Sequence, residues 1–305
     1  MKNTDAKYTD ANSRYLTLEK PVLDLYERVI TIYGKQKNFQ EAYRQLQNAE
    51  KFVRQSGDSS GNGQCHMLYV VYYYAVIGGD YVTGATDHSI KKMYHAADKA
   101  IRCLKKDRTD EGRFLYMKAL LAKLYVMVCT CSRRTTEIGK LFGRVQGIAE
   151  QYAQKYAEIW LKYYLVEAWY YTLIAEDCEE MMRSMAKAEE IINVTADTDL
   201  TRIENLILPW ISMLLTLREY EKAAEMLKAG IEMCDKETCQ GVIPYVREKV
   251  ELYACLLDAY YLAGEFEKCR EVLGAIDALN RENEELGIVK VIEAGYREEI
   301  EGRGK

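Results

Sequence analysis

Proline and histidine are scarce in this chain, with only three of each in 305 residues, and glycine is held to 19. Proline breaks helix interiors and glycine weakens them, so their scarcity leaves long helices unopposed. Strand signals are weak as well. "YVVYYYAVI" (Tyr69–Ile77) has β-type composition but fits a buried helix beside its neighbours. No apolar run reaches the roughly 18 residues of a bilayer span, so no membrane association is expected. The opening "MKNTDAKYTDANSR" lacks the apolar core of a secretory leader, and residues 1–15 are expected as a flexible polar tail. Positive charge is also in deficit. A formal net charge of −5 and a pI near 5.5 argue against nucleic acid as a partner, which needs Lys and Arg to neutralise phosphates.

Catalytic signatures are missing too. There is no phosphate-cradling Gly-rich loop followed by Lys, no GxSxG, no HExxH and no kinase-like set. His88 and His95 share a helix face with Cys103, and Cys65-His66 lies in the partner helix. The paired short spacings of structural zinc sites are nevertheless absent, so no metal is expected. Cys129 and Cys131 form a CxC beside Arg133 and Arg134, but residues two apart on a helix face different ways, which favours core packing over redox chemistry. Acid pairs such as Glu179-Glu180 and Glu189-Glu190 read as solvated helix faces. The nine cysteines are an odd number, scattered mostly at apolar helix positions. Reduced, mostly buried thiols in a cytoplasmic protein fit this better than a disulfide framework. The chain is expected to be no enzyme and to carry no cofactor. A metal- or thiol-dependent enzyme is the remote alternative.

What is present is helical periodicity. In the stretch around "DAYYLAGEFEKC", Tyr253, Leu256, Leu257 and Tyr260 form one apolar stripe, and Gly264 ends that helix. Phe266, Cys269, Leu273 and Ile276 form a second stripe. So short a turn folds the two helices back on each other, and the small Cys269 lets their axes approach. The pattern repeats at Tyr220, Ala223, Leu227 and Gly230. It returns at Phe39, Ala42, Leu46 and Ala49, preceded by Tyr26, Val29, Ile30 and Tyr33. A degenerate copy has Cys178, Met181, Met185 and Ala188. Gly79, Asp80 and Tyr81 make a similar turn whose second helix is delayed to about Asp87.

A glycine-acid-aromatic turn, a small residue three further on and apolar residues before it resemble the tetratricopeptide repeat family. The resemblance runs from about Leu16 to Ile300. Phe39 to Tyr81 and Cys178 to Tyr220 are each 42 apart, and Tyr220 to Phe266 is 46, against about 34 in that family. The longer spacing is nearer to the divergent arrays of bacterial regulators. It implies an all-α, right-handed superhelical solenoid of about six antiparallel hairpins, near 17–54, 64–106, 110–154, 156–193, 201–235 and 242–280. A capping helix at about 283–300 would close this single domain over 16–300, leaving 301–305 as a tail.

Local signals sharpen the boundaries. Asp177 with Glu180, and Thr201 with Glu204, have capping-box spacing, and Pro21 and Pro244 suit first turns. Pro209 lies within a helix and is expected to kink it. "RQSGDSSGNGQ" (Arg54–Gln64) reads as a flexible loop, and Val82–His88 reads as an insertion.

Tyrosine is the compositional anomaly, at 25 residues. It concentrates in "YVVYYYAV", "KYYLVEAWYY" and "DAYYLAG", the first helices of hairpins two, four and six. Most of these rings are expected between helices, among them Tyr26, Tyr33, Tyr253 and Tyr260. In superhelical arrays first helices line the concave surface. That places His66, Tyr69 and Tyr73, then Tyr163, Val166 and Tyr170, then Glu251, Asp258 and Tyr261 towards a groove. The family's docking modules carry Lys and Asn in the first repeat where this chain has Glu27 and Thr31, so an acidic C-terminal tail is not the expected ligand. A non-enzymatic, cytoplasmic bacterial scaffold that holds a protein or peptide partner in this tyrosine-lined groove is the leading expectation. A ligand-sensing array of a bacterial transcriptional or signalling regulator, its output domain elsewhere, is the alternative.

Overall fold

The computed structural model describes residues 19–36, 38–56, 59–79, 86–150, 157–195, 202–238 and 246–282. Among them the chain is all-helical, with neighbouring helices packed together and no strand. The helices are α1 (Glu19–Lys35), α2 (Phe39–Ser56), α3 (Ser59–Gly79), α4 (Thr86–Leu104), α5 (Asp110–Cys129) and α6 (Thr135–Ala149). They continue with α7 (Ala157–Tyr170), α8 (Cys178–Thr195), α9 (Leu208–Thr216), α10 (Tyr220–Thr238), α11 (Val246–Ala263) and α12 (Phe266–Glu282). Two π-helical turns, Tyr171–Ala175 and Ile203–Ile207, extend α7 and precede α9. The pairs α1/α2 to α11/α12 follow the six expected segments. The chain forms two compact units, Met1–Ile159 and Trp160–Lys305, with the division inside α7.

In the first unit α1, α2 and α3 enclose Leu23, Ile30, Leu46, Val53, Cys65 and Leu68. Ala42 and Ala49 are the small members of the α2 stripe, and both are buried. They let α1 and α3 come close, much as Gly34 does, whose added Cβ would lie 2.7 Å from Ala75 Cβ. Next, α3 packs on α4, α4 on α5 and α5 on α6. Each fully buried Leu or Met here contributes about 1.5–3 kcal/mol through removal from water.

Among the described residues the second unit has two cores. Ala168, Met181, Met185, Ala188, Trp210 and Met213 form one. Leu227, Leu256, Leu257, Cys269, Leu273 and Ile276 belong to the other, with Tyr253 and Phe266 partly buried at its edge. The stripes read from spacing are thus the buried faces. Cys269 is fully buried, its Sγ 4.0 Å from the Leu257 carbonyl oxygen.

One turn chemistry recurs at the hairpins. Cys131, Arg218 and Gly264 have φ of 47, 62 and 76°, and each sits just past a helix end. Ser132, Glu219 and Glu265 follow them and donate their N–H groups back to Met127, Leu214 and Tyr260, all at 2.9 Å. The left-handed residues donate to Val128, Leu215 and Tyr261. This is a Schellman closure, which satisfies carbonyls that the helix end leaves open. Glu176 (φ 53°) is left-handed as well, but after the first π turn its N–H donates to the Tyr171 carbonyl, five residues back. Asp177 then caps α8, its Oδ1 accepting from the N–H groups of Glu179 and Glu180 at 3.1 Å. The reciprocal half of the expected capping box does not form: the Asp177 N–H goes to the Tyr171 carbonyl, and Glu180 pairs with Arg183.

Two local expectations need correction. Residues 59–64 are not a loop but the first turns of α3. Gly61 and Gly63 are buried there, and an added Cβ on Gly63 would lie 2.6 Å from Leu104. Gln64 donates to Asp24 at 3.0 Å. Tertiary contacts therefore hold a Gly/Ser-rich stretch in a conformation its propensity disfavours. Buried thiols are also fewer than expected. Among the eight described cysteines, Cys65, Cys234 and Cys269 are buried, while Cys103 and Cys131 are exposed.

Pro209 falls in the first turn of α9, and the disruption it causes takes the form of the preceding π turn. The Leu208 N–H reaches back five residues to Ile203 there. The wider turn carries the backbone past a ring that cannot donate and would crowd a regular helix. Thr201, Pro244, Tyr81, Cys239 and the cap at 283–300 lie outside the described residues, as do both tails.

Candidate functional site

The first tyrosine row belongs to α3. Tyr69 and Tyr73, one turn apart, stack with ring centroids 6.4 Å apart and planes at 27°. Tyr72 meets Tyr73 edge-on at 5.1 Å and Tyr43 of α2 at 5.4 Å. Such tilted and edge-on pairs match positive ring edges to negative faces. The Tyr69 hydroxyl donates to Glu50 Oε2 at 3.0 Å, and the Lys92 ammonium lies 5.8 Å from the Tyr73 ring. Tyr69, Tyr72 and Tyr73 are half-buried and Tyr43 is exposed. Burial, reinforced by the bond to Glu50, raises the Tyr69 pKa, and burial raises that of Tyr73. Both phenols therefore remain neutral hydrogen-bond donors near pH 7. His66, half-buried one turn earlier, has its pKa lowered by burial and by Lys99, which favours the uncharged imidazole.

The second row is in α7 of the other unit. Trp160 and Tyr164 stack at 5.7 Å, and Tyr163 meets them edge-on at 5.5 and 5.4 Å. Tyr170 and Tyr171 pair at 5.5 Å. Glu167 lies among these rings and accepts a bond from Ser184 Oγ at 2.9 Å. Burial first, and Glu167 second, raise the pKa values of Tyr163, Tyr164 and Tyr171. Lys187 sits 5.2 Å from the Tyr164 ring. Tyr163 and Val166 are each only 6% exposed, so they support the row from within, and Tyr170 is half-buried. In α11, Glu251 is exposed, and Asp258 and Tyr261 are half-buried. Tyr261 packs edge-on against Phe266 at 6.0 Å across the Gly264 turn.

His66, Tyr69 and Tyr73 thus lie along α3 at helical spacing, the two tyrosines in ring contact. Tyr163, Val166 and Tyr170 lie along α7 at the same spacing, and Asp258 and Tyr261 lie on a later helix of the same unit. Sequence reasoning missed Tyr43, Tyr72, Trp160 and Tyr164, which complete the rows, and the flanking Glu50, Glu167, Lys92 and Lys187. Aromatic i, i+3 and i, i+4 spacing marks the α7 set. Nothing local marks Glu50, which reaches Tyr69 from another helix.

Glu27 is engaged inside the first unit. It accepts from Lys118 Nζ at 3.3 Å, and Glu158 lies 3.7 Å from the same ammonium. Burial alone would lower the Lys118 pKa, but these two carboxylates outweigh it and the net shift is upward. Thr31 donates its hydroxyl to the Glu27 carbonyl at 2.8 Å.

For chemistry the described residues offer little. No group of three His, Cys, Asp or Glu suited to a metal ion occurs among them. No helix among them is long and apolar enough to cross a membrane. Burial raises the Cys129 thiol pKa to about 11, against nucleophilic activation of the CxC pair. The tyrosine rows supply apolar area, neutral hydroxyl donors and adjacent carboxylates, a set suited to holding a peptide. No family model matches this chain, and neither does any curated protein.

Proposed function

We propose that this chain is a non-enzymatic scaffold that binds a protein or peptide segment through its tyrosine rows. Its helical pairs would stack as a right-handed solenoid of the divergent tetratricopeptide type. The observation that carries the reading is the Tyr43–Tyr72–Tyr73–Tyr69 row, ending in the 3.0 Å bond to Glu50. Rings of this kind present large contact area at a cost of only two side-chain torsions each. Their hydroxyls can meet the backbone groups of an extended or helical peptide. His66 in the first unit and Tyr170, Asp258 and Tyr261 in the second are the further candidate contacts, with Tyr163 and Val166 buried in α7 as support.

The test is selection from a displayed random-peptide library, followed by calorimetry on the enriched sequences. A peptide that binds the wild-type chain at micromolar Kd, and Tyr43→Ala and Tyr73→Ala at least tenfold more weakly, supports the reading. Circular dichroism must show both variants folded. Enriched peptides that bind the folded variants as well as the wild type would sink it, as would a library that yields none.

A further inference from the structure

A cleft of about 260 Å³ opens where the end of α4, the segment before α5, α5 itself and α6 meet. It lies wholly within the first unit and apart from the tyrosine rows. Lys105, Arg108, Arg113 and Arg144 line it, against the single carboxylate of Asp107. That carboxylate is already engaged, since its Oδ1 accepts from the Thr109 N–H at 2.9 Å and from the Thr109 hydroxyl at 2.7 Å. Four cations gathered at one cleft are unexpected in a chain whose formal net charge is −5.

Tyr116 also lines the cleft. It is 6% exposed, and its hydroxyl is buried with no hydrogen-bond partner, the one such side-chain atom among the described residues. Leaving a buried hydroxyl unsatisfied is costly, and native structures rarely tolerate it without a reason. The Arg144 guanidinium stacks over the Tyr116 ring at 5.1 Å. An anion held by that guanidinium would therefore come close to the phenol.

We propose that this cleft binds a small phosphate-bearing anion, with Tyr116 donating its hydroxyl and Arg144 the principal charge partner. A phosphoryl group carries close to two charges and several strong acceptor oxygens, matching arginine forks and a phenol donor together. The volume falls below that of drug-sized pockets and suits an inorganic phosphate or pyrophosphate-sized group. Burial raises the Tyr116 pKa although Arg144 opposes it, so the hydroxyl keeps the proton it would donate.

The experiment is calorimetric titration of the full chain with inorganic pyrophosphate at low salt, alongside thermal melting without the anion. One-to-one binding is expected, weakened about tenfold or more by Tyr116→Phe and by Arg144→Gln, and unchanged by Tyr73→Ala. Tyr116→Phe should meanwhile melt at the same or a higher temperature than wild type, because it deletes a hydroxyl that the empty protein leaves unpaired. Opposite signs on binding and stability separate a ligand contact from a structural one. The proposal falls if pyrophosphate does not bind at millimolar concentration, or if the two cleft variants bind as wild type does. It falls equally if Tyr73→Ala abolishes binding, or if Tyr116→Phe lowers the melting point by several degrees.

Discussion

Arg218 occupies in one hairpin turn the position that Gly264 holds in another, with φ of 62° and 76°. Both donate to the carbonyl three residues back, and the residue after each donates to the carbonyl five back. Only one of them is free of the Cβ that makes this conformation costly, by about 1–2 kcal/mol per residue. Arg218→Gly should therefore stabilise the chain by about 0.5–1 kcal/mol, the gain being reduced by the added freedom of the unfolded state. Gly264→Ala should destabilise by about 1 kcal/mol. Urea denaturation of the two variants checks the pair, and equal signs would refute the shared turn geometry.

A second pair of substitutions probes where glycine is structural and where it is not. Gly63 lies on α3 with Leu104 so near that a Cβ would meet it at 2.6 Å. Leu104 is 2% exposed, and its Cγ and one of its methyl groups would both lie 2.6 Å from the added Cβ. Gly63→Ala should cost about 1–3 kcal/mol through overpacking, partly offset by better helix propensity. Gly143 of α6 has nothing within 4 Å of its would-be Cβ. Gly143→Ala should stabilise by about 0.5–1 kcal/mol. Guanidinium midpoints decide both.

These positions also mark how far the sequence could be read. The hairpins were legible because small and apolar residues recur at helical spacing, as in Phe39, Ala42, Leu46 and Ala49, and those residues did become the buried faces. Ser59–Gln64 was not, because local composition opposes helix there and the contacts that impose it, Leu104 and Asp24, come from α4 and α1. The left-handed residues that close the turns at Cys131 and Arg218 were invisible, since such a residue other than glycine carries no compositional mark. The tyrosine rows were legible as rows. Which member faces outward was not, since Tyr69 and Val166 hold the same place in their helices, yet the first is half-buried and the second only 6% exposed.

Alkaline pH should unfold this chain earlier than its core size implies. Burial raises the pKa values of Tyr69, Tyr73, Tyr163, Tyr164 and Tyr171, and the facing carboxylates raise that of Lys118. A raised folded-state pKa favours the protonated form in the native protein. Its contribution to stability is complete below the unfolded-state pKa, about 10 for both residue types, and is lost as pH rises through the folded-state value. Urea midpoints should stay level from about pH 7 to 9 and fall above about pH 10. Phenolate absorbance should appear together with loss of helix. Tyr69→Phe should flatten the fall while costing about 1 kcal/mol at neutral pH through the lost bond to Glu50. Independent titration of the phenols, ahead of unfolding, would contradict this.

Thiol reactivity should divide the cysteines by burial and not by sequence context. Cys65 and Cys255 have pKa values raised to about 11 by burial, as has Cys129. At pH 8 little thiolate is available at these sites, and thiolate is the reacting species. Cys234 and Cys269 are buried, whereas Cys103 and Cys131 are exposed. Ellman's reagent should therefore modify Cys103 and Cys131 in a fast phase, with Cys65, Cys129, Cys234, Cys255 and Cys269 reacting only as the chain opens. Cys103→Ser and Cys131→Ser should each remove one equivalent from that phase. Arg133 and Arg134 beside Cys131 make the sharper comparison. Were the CxC pair redox-active, Cys129 would react as fast as its neighbour, and Cys129→Ser would remove an equivalent as well. If Cys129 stays silent until denaturant is added, helix-end packing is the whole explanation for the motif.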